Sequence, residues 1–152
     1  MSTIGFDTSN YTTSTAWTDG KTDINVRQIL YVKDGERGIR QSDGVFQHMK
    51  LMPVMYEKLS EQIDFKDVKA VGVSTRPRCV EGSYMPVFLA GEGYAKVVAN
   101  TLGVPLYEFS HQDGHIMAGI YSSGSFELLE NDFISVHLSG GTTEILKPLQ
   151  RI

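Results

Sequence analysis

The chain has 152 residues, 41% of them apolar and 21% charged, a balance that excludes wholesale disorder and is enough for one ordinary domain with a real core. No apolar run approaches the roughly 20 residues that cross a bilayer, and the opening "MSTIGFDTSN" has neither a basic flank nor a hydrophobic signal segment, so a cytoplasmic protein without membrane contact is expected. The net charge of −4 excludes a broadly basic surface, and the single Cys79 excludes an intrachain disulfide.

The first third reads as strands. "TIGFDTS" (3–9) is a short apolar run, "TSTAWTD" (13–19) alternates small and large side chains, and "INVRQILYVK" (24–33) is rich in β-branched and aromatic residues. Asp19-Gly20 marks the turn between the last two, which predicts a three-stranded antiparallel start. From Gly44 to about Gln62 the residues Val45, Phe46, Met49, Met52, Val54, Met55 and Leu59 recur at three- and four-residue steps, the mark of an amphipathic helix, with Pro53 as its expected kink. His48 lies among them and reads as a packing or helix-surface residue.

"VKAVGVST" (68–75) is a buried-strand run, Met85–Leu102 returns to helical periodicity with Pro86 in its first turn, and "VPLYEF" (104–109) is the next strand. Ser110 and Asp113 have the form of a capping box opening a third helix. "DFISVHL" (132–138) and "TEILKPL" (143–149) are two further strands joined by Ser139-Gly140-Gly141-Thr142. The expected fold is α/β with a mixed sheet in the order βββαβαβαββ, one domain over 1–152 without repeat or linker.

Three stretches can carry chemistry. "GFDTSNYTTSTA" (5–16) places Asp7, Thr8 and Ser9 at the end of an apolar strand, where small residues and hydroxyls either cradle an anion or make a polar hairpin. "HLSGGTTE" (137–144) offers paired glycines whose amides can face an oxyanion, or a plain Gly-Gly turn. Taken together, the two favour phosphate binding.

The third stretch is "HQDGH": a helix starting near Ser110 puts His111 and His115 on adjacent turns, close enough for one metal ion, although capping or solvated histidines fit the same spacing. Gly114, unfavourable in a helix, suggests a ligand or loop crowded against that turn. His137, directly before the Gly-Gly turn, is a candidate third ligand. Imidazole alone does not choose the metal. A zinc peptidase needs glutamate after the first histidine as base; Gln112 stands there instead, and an amide cannot take the proton.

With these residues in view, the chain resembles the N-terminal half of the TsaD family, also known as the glycoprotease or O-sialoglycoprotein endopeptidase family. The resemblance is collinear over essentially the whole chain and is carried by Gly5-Phe6-Asp7-Thr8-Ser9, by Val104-Pro105 leading into His111-Gln112-Asp113-Gly114-His115, and by Ser139-Gly140-Gly141-Thr142-Thr143. It implies a ribonuclease-H-like half-domain of the sugar kinase, heat-shock ATPase and actin superfamily. The implied role is in making threonylcarbamoyladenosine beside the tRNA anticodon, with a TsaB-like partner protein.

The resemblance further implies that His111 and His115 bind a divalent metal, iron or zinc, which holds the phosphate of ATP or threonylcarbamoyl-adenylate. His137 stands where some members have a metal-reaching tyrosine, and Leu138, Ser139, Gly140, Gly141 and Thr142 fall on the substrate-binding segment. Two departures stand out. Asn10-Tyr11-Thr12-Thr13 replaces an acidic pair associated with activity, and Thr75-Arg76-Pro77-Arg78 replaces a Gly-Pro-Gly turn; those arginines attract phosphate or RNA, or lie in a solvated loop. The second lobe is missing, so the chain is expected to be a fragment of a longer, divergent paralogue that is inactive alone and able to pair with another copy. A degenerate binding module is the alternative to an enzyme, and a metallopeptidase comes third.

Overall fold

The computed structural model describes residues 1–36, 38–138 and 143–147, and it follows the expected order. The elements are β1 (Ser2–Asp7), β2 (Thr12–Thr18), β3 (Asp23–Ile29), α1 (Gln41–Ser60), β4 (Val68–Arg76), α2 (Phe88–Leu102), β5 (Leu106–Ser110), α3 (His111–Ser123), β6 (Ser135–Leu138) and β7 (Thr143–Leu146). Two short 3-10 turns, Phe65–Asp67 and Phe126–Leu129, are added. The chain divides into two compact units, Met1–Gln112 and Asp113–Ile152.

The first unit is a five-stranded sheet in the order β3-β2-β1-β4-β5. β1, β2 and β3 form the expected antiparallel meander, with Phe6 opposite Thr15 and Ala16 opposite Asn25. β4 then lies between β1 and β5 and runs parallel to both, pairing Gly5 with Gly72 and Val73 with Glu108. Strands that run parallel end on the same side. Asp7, Arg76 and Ser110 therefore come to one rim of the sheet, the side on which open α/β sheets place ligands.

Alternation in β1 sends Ser2, Ile4 and Phe6 inward. Ile4 and Phe6 meet Val71 and Val73 of β4, Met52 and Leu59 of α1, and Ala95 and Ala99 of α2 in one buried cluster. The small alanines let α2 approach the sheet closely, and Phe6 stacks on Tyr56 with ring centroids 5.7 Å apart. α1 runs through Pro53 without interruption, and its buried stripe is Gly44, His48, Met52, Met55 and Leu59. Phe46, Met49 and Val54, apolar in sequence, lie on its exposed side. α2 stops at Gly103, whose left-handed backbone (φ 66°) ends the helix at low steric cost.

In the second unit, β6 and β7 pair antiparallel, Ser135 opposite Leu146 and His137 opposite Glu144. Lys147 Nζ donates to Asp132 Oδ2 at 3.1 Å on its surface.

Candidate functional site at the strand rim

The rim is built around Asp7, the last residue of β1. Its Oδ1 accepts from the Ser9 backbone N–H at 2.8 Å and from the Ser9 hydroxyl, a local turn in which Asp replaces a backbone acceptor. Its Oδ2 lies 2.9 Å from His111 Nδ1, a contact between residues 104 positions apart. Burial pushes the Asp7 carboxyl upward. The His111 hydrogen bond and charge, helped by the Ser74 and Ser9 hydroxyls, outweigh it and bring the carboxyl down to about 2. Asp7 is therefore an anion at neutral pH.

This pairing decides the tautomer of His111. An Nδ1 held against a carboxylate carries the proton, so in the neutral ring Nε2 is the lone-pair atom. Metal-bound histidines are commonly oriented by a carboxylate in this way. His115 follows four residues later on α3, about one helical turn on. Within the second unit, the His115 and His137 rings stack with centroids 5.4 Å apart and planes 28° from parallel, and His137 Nδ1 sits 3.7 Å from Glu144 Oε2, too long for a hydrogen bond. Lone pairs of imidazole lie in the ring plane, so stacked rings do not aim them at one point. Among the described residues no group of three or more His, Cys, Asp or Glu side chains forms a ready metal cage. Within the first unit the candidate donor is one imidazole, His111, backed by Asp7, rather than a closed cage.

The hydroxyl-rich turn after β1 serves the fold. Thr8 is fully buried, its Oγ1 donating to the Val87 carbonyl at 2.8 Å and accepting from the Gly91 N–H at 3.0 Å. Those two groups belong to the first turn of α2, which the hydroxyl bridges. Gly91 permits this contact, since a Cβ there would lie 2.9 Å from Thr8 Oγ1. Ser9 turns its hydroxyl onto Asp7, and Asn10 closes the hairpin with φ 47°. The Thr8 hydroxyl is thus committed twice and the Ser9 hydroxyl donates to Asp7, so both are engaged within the fold.

Leu138 is exposed at the end of β6, and Ser139, Gly140, Gly141 and Thr142 lie outside the described residues. Around Gly114, apart from its own helix, no described residue lies within 4 Å of where a Cβ would be. An apolar groove of about 540 Å³ between α1 and α2, lined by Met52, Pro53, Tyr56, Tyr94 and Val97 among others, contains none of these site residues.

Of the two sequence readings of His48, packing or helix surface, the first is the one realised. His48 is fully buried, its Nδ1 2.7 Å from Thr13 Oγ1, while Nε2 has no hydrogen-bond partner among the described residues. Burial lowers its pKa below 6.5, against the opposing pull of the Asn10 backbone and the Asp7 charge. The available signal was spacing, since His48 falls midway between Gly44 and Met52 on the stripe that α1 buries.

The family model described as TsaD, tRNA N6-adenosine threonylcarbamoyltransferase, matches residues 35–148. A protein of that name from Christiangramia forsetii is 33% identical over 98 residues, covering 64% of this chain and 27% of the relative. Another from Pyrobaculum calidifontis is 28% identical over 144 residues, covering 93% of this chain and 40% of the relative. The chain thus spans well under half the length of either. Among solved structures, YeaZ from Pseudomonas aeruginosa superposes with a TM-score of 0.55 at 12% identity, over 95% of this chain and 64% of its own. That likeness establishes the fold anticipated from sequence.

Proposed function

The chain belongs to the TsaD family, and from that membership we propose that it serves threonylcarbamoyl transfer to the tRNA adenosine beside the anticodon, as the first half of a two-lobed nucleotide-binding protein. The observation that carries this reading is the Asp7–His111 pair at the rim where β1, β4 and β5 end. A half-buried carboxylate at that position would orient the ring with Nε2 as the ligand atom. A divalent ion, iron or zinc, bound by His111 and His115 would act as a Lewis acid on the phosphate of ATP or threonylcarbamoyl-adenylate. Asp7 holds the Nδ1 proton and keeps His111 from turning. The backbone around Ser9 and the segment Leu138–Thr142 are the proposed substrate contacts; His137, stacked on His115, supports that ring or joins the ion when a ligand is bound.

The same reading brings in tRNA, a TsaB-like partner protein and pairing with a second copy. Phe46, Met49 and Val54 on α1 and Val97 on α2 are exposed apolar side chains able to seat a protein. A second reading, a non-catalytic nucleotide- and metal-binding paralogue, is favoured by the turn after β1. Asn10 and Tyr11 supply no carboxylate there, and Ser9 bonds inward to Asp7.

Supplying the chain, and the longest natural form containing it, with tRNA, threonine, bicarbonate, ATP and partner proteins separates the two. The transferase reading expects modified adenosine that disappears with His111→Ala. Metal bound in stoichiometric amount with no modified nucleoside supports the binding module.

A further inference from the structure

We propose that Arg76 is a phosphate anchor: its guanidinium binds the phosphate of a nucleotide at the rim beside the Asp7–His111 pair. This rests on the reading above, that a nucleotide occupies that rim, and adds the residue that grips its charge.

Three observations carry it. First, β4 is irregular where it ends. The register with β5 shifts between Ser74 and Arg76, so that Ser74 pairs with Phe109 and Arg76 with Ser110, while Thr75 is passed over. Bulges of this kind re-aim side chains beside functional sites. The shift sets Arg76 opposite the residue directly before His111. Ser74, two positions earlier, contributes its hydroxyl to Asp7.

Second, the guanidinium is held by neutral groups. Nη1 donates to Thr75 Oγ1 at 3.2 Å, Thr75 Oγ1 donates on to the Phe109 carbonyl at 3.5 Å, and Nη2 contacts Cys79 Sγ at 3.9 Å. No carboxylate among the described residues pairs with Arg76. The acid on the neighbouring strand, Asp7, is engaged by His111 and Ser9. A guanidinium has five N–H donors in a fixed fork, and among the described residues two contacts engage them. A half-buried cation with neutral neighbours has lost hydration without gaining a counter-charge. A phosphate supplies both the charge and the acceptors, in the planar geometry that arginine matches better than lysine.

Third, the loop is tied down. The Gln112 N–H donates to the Pro77 carbonyl at 3.1 Å, fastening the residue after Arg76 to the start of α3. The anchor is positioned in advance, which limits the ordering that binding must impose.

The test is calorimetric titration of the chain with AMP and with adenosine, in wild type, Arg76→Gln and Arg76→Lys, beside a tRNA-capture assay of the same proteins and melting curves that confirm folding. Arg76→Gln should weaken AMP at least about tenfold, the scale of a lost charge-assisted hydrogen bond, leave adenosine unchanged, and be only partly restored by Arg76→Lys. Equal AMP affinity in wild type and Arg76→Gln overturns the proposal alone. Equal losses for AMP and adenosine overturn it in favour of a structural role. Loss of tRNA capture with AMP binding intact overturns it by moving Arg76 to the RNA backbone. A folded wild type that binds neither AMP nor adenosine removes the underlying reading and the proposal with it.

Discussion

Replacing Thr8 by valine keeps the shape of the side chain and removes the hydroxyl that bridges Val87 and Gly91. In the native protein that oxygen is fully buried, 2.8 Å from the Val87 carbonyl and 3.0 Å from the Gly91 nitrogen. Valine puts a methyl group between them, so neither meets water and the helix cannot easily close its own turn across the gap. A buried polar group left without a partner costs about 1–3 kcal/mol. The Gly91 N–H loses its partner and the Val87 carbonyl keeps only the long bond from the Ala90 N–H at 3.4 Å, which brings the total to about 2–4 kcal/mol. Serine keeps both hydrogen bonds and loses one methyl, worth about 1 kcal/mol. In urea titrations followed by circular dichroism, a loss near 3 kcal/mol with a slope of about 1.5 kcal/mol/M lowers the midpoint by about 2 M. Thr8→Ser should fall by less than half as much. A Thr8→Val protein as stable as wild type, or one more stable than Thr8→Ser, would refute the argument.

Gly91→Ala gains up to about 1 kcal/mol of helix propensity, yet its Cβ would stand 2.9 Å from Thr8 Oγ1. It should therefore destabilise by about 1–3 kcal/mol, and less in a Thr8→Ala background, as a double-mutant cycle in urea will read. His48 makes stability pH-dependent: its unfolded ring takes a proton near 6.5, whereas burial holds the folded ring neutral to lower pH. Its contribution is complete above 6.5 and declines as pH falls below that, levelling once the folded ring also protonates. His48→Gln should flatten melting temperature against pH in that range, and an unchanged profile counts against the assignment. Asp7→Asn should weaken divalent-ion binding about 10- to 100-fold through loss of the carboxylate behind His111; zinc titration showing equal affinity would exclude Asp7 from that role.

The architecture was legible because each element carries its own period. Alternation in "TSTAWTD" and the apolar run in "VKAVGVST" became β2 and β4, and the helical stretch after Met85 became α2 with its start at Phe88. The site was less legible, for a reason of range. His111 and Asp7 are brought together only because β1 and β5 flank β4 in parallel, and no local pattern encodes a contact across 104 residues. The hydroxyls after Asp7 suit phosphate by type, but nothing in the sequence shows that Thr8 is aimed at α2. On α1 hydrophobicity misled: Phe46, Met49 and Val54 face outward, while a histidine and a glycine hold the inner stripe. Gly114, read as a sign of a ligand or loop against that turn, has no such neighbour among the described residues.

The first unit's sheet is not closed, and β3 is one of its two margins. A margin presents unpaired peptide groups to any extended chain that meets it. Here Asp23, Asn25, Arg27 and Gln28 are all exposed, so an approaching strand would have to strip water from charges and amides before it could add itself. Exchanging Arg27 and Gln28 for β-branched residues would remove that deterrent and turn a dispersed protein into one that sticks to itself as its concentration rises.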